Sequence, residues 1–222
     1  AERWGGGAGE RPYLPRAFSV LRARDDRLEF VLEYVGPGTL RLAGLTAGEA
    51  LMVTGPLGVG FAAPAAGRRA LLAGGGVGVA PLAIWQDELL AAELSHVALL
   101  GFRDRDRAEG ASLLRDARVA TDDGSVGHHG LVTDLLADTL DSGEAWTVYA
   151  CGPPPMLEAV RAACAAREVP AQLALEAPMA CGFGACYGCV VPTIDGYRRV
   201  CVDGPVFDAA ALETALAPHG GH

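Results

Sequence analysis

The chain has 222 residues, long for one hydrophobic core and suited to one to three small domains. Half of the residues are hydrophobic and a fifth are charged, as in ordinary globular proteins, and the net charge of −9 argues against nucleic acid as a partner. All 18 basic residues are arginine, which excludes a P-loop or Schiff-base lysine.

In chain order, residues 1–9 are glycine-rich, begin without Met and are expected as a disordered or truncated edge. Residues 16–61 read as β structure. Strands are expected over 18–21 and 28–35 around a turn at Arg24–Arg27, and another over 50–54, closed by Gly55 and Pro56. Residues 64–67 look like a linker. From Arg68 the pattern alternates: strand 70–73, turn 74–78, helix 80–94, strand 97–102, short strand 119–121, helix 132–140, strand 146–150, helix 154–167 and a last strand at 173–175. Alternation of this kind predicts a parallel sheet with helices on both faces. The uncharged stretches 70–86 and 177–194 are broken by glycines, prolines and cysteines, and neither reads as a membrane span.

The tail carries the most specific signal. Cys181, Cys186, Cys189 and Cys201 follow a C-x4-C-x2-C…C spacing, the plant-type ligand pattern of a [2Fe–2S] cluster. Four residues between the first two thiolates must curl around something larger than one ion, and Gly182 and Gly184 suit that curl. A zinc site is the alternative, although zinc usually takes two short-spaced pairs. Asp195 and Gly196, between two short apolar runs, predict a hairpin that returns Cys201 beside the other three. Six cysteines without a signal peptide point to a reducing compartment, the cytoplasm.

Three turns invite a nucleotide. Gly74, Gly75, Gly76 and Gly78, with Pro81 behind them, follow a strand and open a helix, where N–H groups and the helix dipole hold a pyrophosphate. A purely structural tight turn is the competing reading. Cys151, Gly152 and Pro153 sit at another strand end. The Cys151 thiol either lies against a nicotinamide ring or is a small buried hydrophobe. Residues 121–125 either contact a ribose or form a solvated turn. Arg103, Arg105 and Arg107 follow a strand that could lie near a ribose 2′ position, which leaves NAD against NADP open. Cys164 reads as structural, and His128 and His129 as a surface loop. No constellation for hydrolysis is present, and no catalytic side chain is assigned.

Arg16 and Ser19, around Ala17 and Phe18, resemble the R-x-[YF]-S flavin motif of the ferredoxin–NADP reductase superfamily. The turns at 74–81 and 151–153 resemble that superfamily's nicotinamide-binding turns. The runs 36–39, 55–61, 122–125, 179–189 and 200–207 resemble the electron-transfer subunits of dihydroorotate dehydrogenase B, from about Arg11 to Phe207. The resemblance implies an antiparallel flavin barrel over 1–66, a parallel-sheet NAD-binding domain over 67–173 and a small β-rich cluster domain over 174–222. It implies FAD held by Arg16, Ala17, Phe18, Ser19, a strand Val31, Leu32 and Glu33, and Gly38 with Thr39. It implies the four cysteines as cluster ligands, NAD+ as acceptor, and an FMN-containing catalytic subunit as partner in a two-plus-two heterotetramer. Electrons from dihydroorotate would pass singly through the cluster to FAD and leave as hydride. Family members carry a further stretch before the arginine motif, so the barrel is expected to be incomplete or the chain truncated. The hairpin 190–202 and segment 203–207 are expected at the partner surface. A reductase subunit of another complex, such as a transhydrogenase or hydrogenase, and a zinc-stabilised binding module are the alternatives.

Overall fold

The computed structural model describes residues 15–216. The glycine-rich edge at 1–9 lies outside the described residues. Strands β1 (Val20–Arg24) and β2 (Arg27–Phe30) form an antiparallel hairpin, with Asp25 in the left-handed region at φ 48° in the turn. The second strand stops at Phe30 instead of reaching Val35. Phe30 already faces Val20, the first residue of β1, so the residues beyond it have no pairing partner there. The hairpin docks on the following domain through Arg22, which donates to Asp87 at 3.0 Å and to the carbonyl of Leu113 at 2.8 Å.

Residues 37–43, expected within a β region, form a helix instead, α1 (Pro37–Ala43). Proline at the first helical position has its φ pre-set and no N–H to leave unsatisfied. The Thr39 hydroxyl accepts from the N–H groups of Val35 at 3.0 Å and Gly36 at 3.2 Å. The strand expected over 50–54 is not formed: these residues are exposed and pair with nothing among the described residues, and Met52 is 95% exposed. Downstream, Val59 donates its N–H to Gly204 at 2.5 Å and accepts from Val206 at 3.3 Å, so this segment crosses to the chain's far end.

The rest of the chain is built on β3 (Arg69–Gly75), α2 (Val79–Ala91), β4 (His96–Phe102), α3 (Arg105–Ala108), β5 (Arg118–Thr121), β6 (His128–His129), α4 (Val132–Leu140), β7 (Trp146–Cys151), α5 (Pro154–Ala165), β8 (Ala171–Ala174), β9 (Val190–Thr193), β10 (Gly196–Arg199) and β11 (Val206–Asp208). Seven strands make one sheet in the order β11-β8-β7-β3-β4-β5-β6. Every neighbouring pair is parallel except β11 with β8. The segment after the cysteines therefore closes one edge of the nucleotide-type sheet. The histidines 128 and 129, read as loop, form the short strand at the other edge and are exposed.

β3 lies at the centre, buried on both faces, which is why its sequence is a continuous apolar run. Ala70 and Leu72 face the layer of Leu82, Trp85 and Leu89 from α2. Leu71 and Ala73 face the layer of Leu135, Leu136, Leu157 and Val160 from α4 and α5. That second layer also takes in Cys189, Val191, Val200, Cys201 and Phe207, so the cysteine-bearing tail shares a core with the sheet. The Tyr149 hydroxyl donates to the carbonyl of Ala62 at 2.9 Å, and Gln172 brackets the same peptide at 2.8 and 3.0 Å, fixing segment 61–63 against the sheet. Among the described residues, no helix is long and apolar enough to cross a membrane.

Candidate functional site

The chain runs outward from β3 through β4, β5 and β6, then returns to the other side of β3 with β7. The sheet therefore has its switch point between β3 and β7, and open α/β sheets bind ligands beyond the carboxyl ends of such strands. Gly74 is paired in register with Cys151 at that end. The two turns predicted from sequence pack backbone against backbone. A Cβ on Gly78 would collide with the carbonyl of Cys151, and one on Gly152 would lie 2.8 Å from the Met156 methyl and 3.0 Å from the Gly75 nitrogen. On the other side, a Cβ on Gly75 would lie 2.7 Å from the Met156 sulfur. Gly74, between Leu100 and Leu82, answers to core packing. Gly76, at φ 54°, is the member of the turn that faces open space. Pro81 stands in the first turn of α2, and Pro153 caps α5.

Cys151 is buried, and burial first, then the negative charge of Glu176, pushes its thiol up to about 12. It stays a neutral thiol. The loop at 121–125 is held internally: the Thr121 hydroxyl donates to Val126 at 2.9 Å, and Asp123 accepts from the Ser125 hydroxyl at 2.6 Å. Arg105 donates to the Ser125 carbonyl at 2.7 Å, and Arg107 pairs with Asp104 at 2.6 Å, so both guanidinium groups are engaged near this loop.

In the amino-terminal segment the Arg16 guanidinium lies directly over Gly38 in the first turn of α1, where a Cβ would run into it. The structure thus joins the arginine motif to Gly38 and Thr39 at the start of α1, 22 residues along the chain. Phe18 packs edge-on against Phe30 with ring centroids 6.3 Å apart, while Ala17 and Ser19 are exposed. Val31, Leu32 and Glu33 lie past the end of β2, not on a strand; Val31 touches the α2-side core.

The four cysteines lie on one loop and on the hairpin that follows it, with Cys189 just before β9 and Cys201 just past β10. The Cys181 and Cys186 side chains interact, as do those of Cys189 and Cys201, and the charge of Cys181 is felt at Cys201. The fourth ligand position is reached because Val200 donates its N–H to the carbonyl of Cys189 at 3.0 Å, at the end of the β9–β10 hairpin. The pairs differ in burial: Cys189 and Cys201 are 3% and 5% exposed, whereas Cys181 is half-buried and Cys186 exposed. Among the described residues, no three His, Cys, Asp or Glu side chains converge on one metal ion. The C-x4-C-x2-C spacing carried by this loop is that of a plant-type two-iron ligand set rather than of two short-spaced zinc pairs. The N–H of Phe183 and then that of Cys186, with Ala185 and the Cys186 thiol adding to them, hold the Cys181 thiol down at about 6. Burial, then Cys189, raises Cys201.

Two residues of this region escape motif reading. Glu176, where β8 ends, keeps a solvent-facing edge, but the protein around its carboxyl and then the charge of Glu33 raise its pKa. It stands near Glu33 and Cys151, and Cys181 follows five residues later, at most about 18 Å along the chain. Arg199, expected with Arg198 at a partner surface, is instead half-buried and turned onto the cysteine loop. Arg198 is exposed, as are Phe183, Tyr187, Ile194 and Tyr197.

The family model for the iron–sulfur cluster binding domain of dihydroorotate dehydrogenase B matches residues 176–213. Over 201 residues the chain is 38% identical to the dihydroorotate dehydrogenase B (NAD(+)) electron transfer subunit of Caldanaerobacter subterraneus subsp. tengcongensis, covering 89% of this chain and 80% of that protein. The subunit of the same name from a Geobacillus species is 41% identical over 215 residues, covering 90% and 80%. A solved NADH-dependent reduced ferredoxin-NADP oxidoreductase, studied for flavin-based electron bifurcation, superposes with a TM-score of 0.78 at 29% identity, covering 89% of this chain and 73% of that one.

Proposed function

This chain belongs to the family of electron transfer subunits of dihydroorotate dehydrogenase B, and from that premise we propose that it carries electrons from an FMN-containing dihydroorotate dehydrogenase catalytic subunit to NAD+, by way of a [2Fe–2S] cluster and FAD, in pyrimidine biosynthesis. The observation that carries the reading is that one chain packs the paired turns at Gly78 and Cys151 against each other and, in the same sheet's core, seats Cys201 beside Cys189 at the end of a hairpin.

Cys181 and Cys186 would hold one iron and Cys189 and Cys201 the other. Arg16, Gly38 and Thr39 would hold the flavin phosphates, the guanidinium that lies against Gly38 supplying the charge. Ala17, Phe18, Ser19 and the extended Val31, Leu32 and Glu33 would line the flavin, within an antiparallel barrel assigned to 1–66. Gly74, Gly75, Gly76, Gly78, Pro81, Cys151, Gly152 and Pro153 would take NAD in a domain assigned to 67–173, next to a cluster domain assigned to 174–222. When bound, the flavin exchanges a hydride with NAD+ and single electrons with the cluster. The chain's own residues fix distance and charge. The neutral Cys151 thiol presents no anion to the nicotinamide side, and the Cys181 loop offers N–H groups to a thiolate.

The exposed Phe183 and Tyr187 beside the outer cysteine pair support a partner docked over the cluster, and the assembly we propose is two-plus-two. Six free cysteines among the described residues support a reducing compartment, the cytoplasm. The solved reductase of similar architecture favours a second reading, a subunit of a different flavin–iron–sulfur complex.

The deciding experiment purifies the chain with the catalytic subunit and follows NADH formation from dihydroorotate and NAD+. Formation only when both subunits are present is the expected result. Reduction of the chain by NADH without dihydroorotate turnover by the pair would select the second reading. Failure of NADH to reduce the flavin-loaded chain would overturn both.

A further inference from the structure

Arg199 sits on β10, two residues before Cys201, and its side chain turns back over the loop that carries the other three cysteines. Its Nη1 donates to the carbonyl of Gly184, between Cys181 and Cys186, at 3.3 Å. Its guanidinium carbon lies 5.2 Å from the ring centroid of Tyr187, between Cys186 and Cys189. One side chain therefore engages both inter-ligand segments from the strand that delivers the fourth ligand.

The surroundings are shaped for this. Gly184 has φ 87°, and a Cβ there would stand 3.2 Å from the Arg199 Nη1 and 2.7 Å from a Val202 methyl. Tyr187 is held at φ 57°, a left-handed conformation that carries a conformational cost for a non-glycine residue. The guanidinium stacked over its ring offsets part of that cost. Asp203 orients the arginine from below, accepting from the Arg199 N–H at 2.8 Å and from its Nε at 3.4 Å. The Arg199 side chain is 30% exposed, so its charge is only partly screened by water.

We propose that Arg199 is a positioning residue for the cluster, clamping the ligand loop closed and raising the reduction potential by placing a cation beside it, with Asp203 as its orienting and partly compensating partner. The proposal rests on the [2Fe–2S] reading given above. A nearby cation favours the more negative, reduced form of the centre, and a removed cation disfavours it.

The test is a redox titration followed by electron paramagnetic resonance, with the rate of cluster bleaching in chelator, on the full chain as wild type, Arg199→Gln, Arg199→Lys and Asp203→Asn. Arg199→Gln is expected to shift the potential negative and bleach several-fold faster. Arg199→Lys is expected to keep the potential near wild type yet bleach faster, because a single ammonium lacks the second guanidinium arm that lets one side chain hydrogen-bond Gly184 while lying over Tyr187. Asp203→Asn is expected to shift the potential positive. If Arg199→Gln does not load a cluster, the lysine and asparagine variants decide. A wild type with iron and sulfide whose variants match it in potential and bleaching overturns this proposal alone. A wild type without iron and sulfide overturns the cluster reading and this proposal with it.

Discussion

Val200 donates its backbone N–H to the carbonyl of Cys189 at 3.0 Å, and this bond seats the fourth cysteine beside the third. The inner pair, Cys189 and Cys201, is thereby part of the main core, while the outer pair is carried by a surface loop. The two halves of the site should respond differently to substitution. Cys186→Ser replaces an exposed thiol and should leave the metal-free fold within about 0.5 kcal/mol of wild type. Cys189→Ser buries a hydroxyl among Val191, Val200 and Phe207 and should cost roughly 1–3 kcal/mol. Both should lose the cluster. Thermal unfolding of the metal-free proteins measures the difference, and equal destabilisation would contradict the asymmetry.

Gly78→Ala drives a methyl group into the carbonyl of Cys151. The turns at Gly78 and Cys151 must then separate, at a cost of about 1–3 kcal/mol. The expected result is a rise of roughly tenfold or more in the KM for NADH, with the iron content unchanged, since a misplaced turn weakens binding by one to two kcal/mol. An unchanged KM would remove this crevice from the nicotinamide path.

The thiols of the metal-free protein should separate by reactivity. Cys181, held down at about 6 by the N–H of Phe183 and its neighbours, is a thiolate at pH 7.5 and should be alkylated by iodoacetamide before the others. Cys151 and Cys164, both pushed up to about 12 by burial, should remain unmodified to about pH 10. The lowered Cys181 value stabilises the metal-free fold above its ordinary 9.0 and loses that contribution as pH falls through 6. The raised Cys151 and Cys164 values act oppositely: their contribution is complete below 9.0 and is lost as pH rises toward 12. Peptide mapping after timed alkylation reads the order, and uniform labelling would contradict it.

Glu158 ties the last described turn to α5. It accepts from Arg161 at 2.5 Å, from the Ala215 N–H at 2.6 Å and from the Thr214 hydroxyl at 3.1 Å, and these bonds, Arg161 first, bring its carboxyl down to about 2. A depressed carboxyl contributes stability that is complete above its ordinary 4.5 and is lost as pH falls toward 2. At a quarter exposed, the contribution is on the order of 1–2 kcal/mol after solvent screening. Glu158→Gln should therefore flatten the acid limb of stability between pH 4.5 and 2, measured by denaturant unfolding across that range. A variant with the same acid dependence as wild type would contradict the assignment.

Much of the sheet was legible because β3 and β7 are buried on both faces and leave long apolar runs, and because turn chemistry at Asp195 and Gly196 marks a hairpin locally. The cysteine spacing was legible because a plant-type ligand loop is contiguous. What escaped reading depends on contacts distant in sequence. α1 was hidden in an apolar stretch, and only Pro37 at its first position hinted at it. The 50–54 run has strand-forming residues but no partner strand among the described residues. β11 closes the sheet antiparallel only because Phe207 and its neighbours find the free edge of β8. Arg199 reads as one of two surface arginines until the loop 15 residues earlier folds beneath it.

The most direct test of the account is an anaerobic absorption spectrum of the freshly purified chain, with iron, acid-labile sulfide, zinc and flavin quantified on the same sample. The account predicts about two irons and two sulfides per chain, as a [2Fe–2S] centre requires, with FAD alongside. One zinc per chain without sulfide would contradict it, because the two sulfur pairs would then serve a single structural ion.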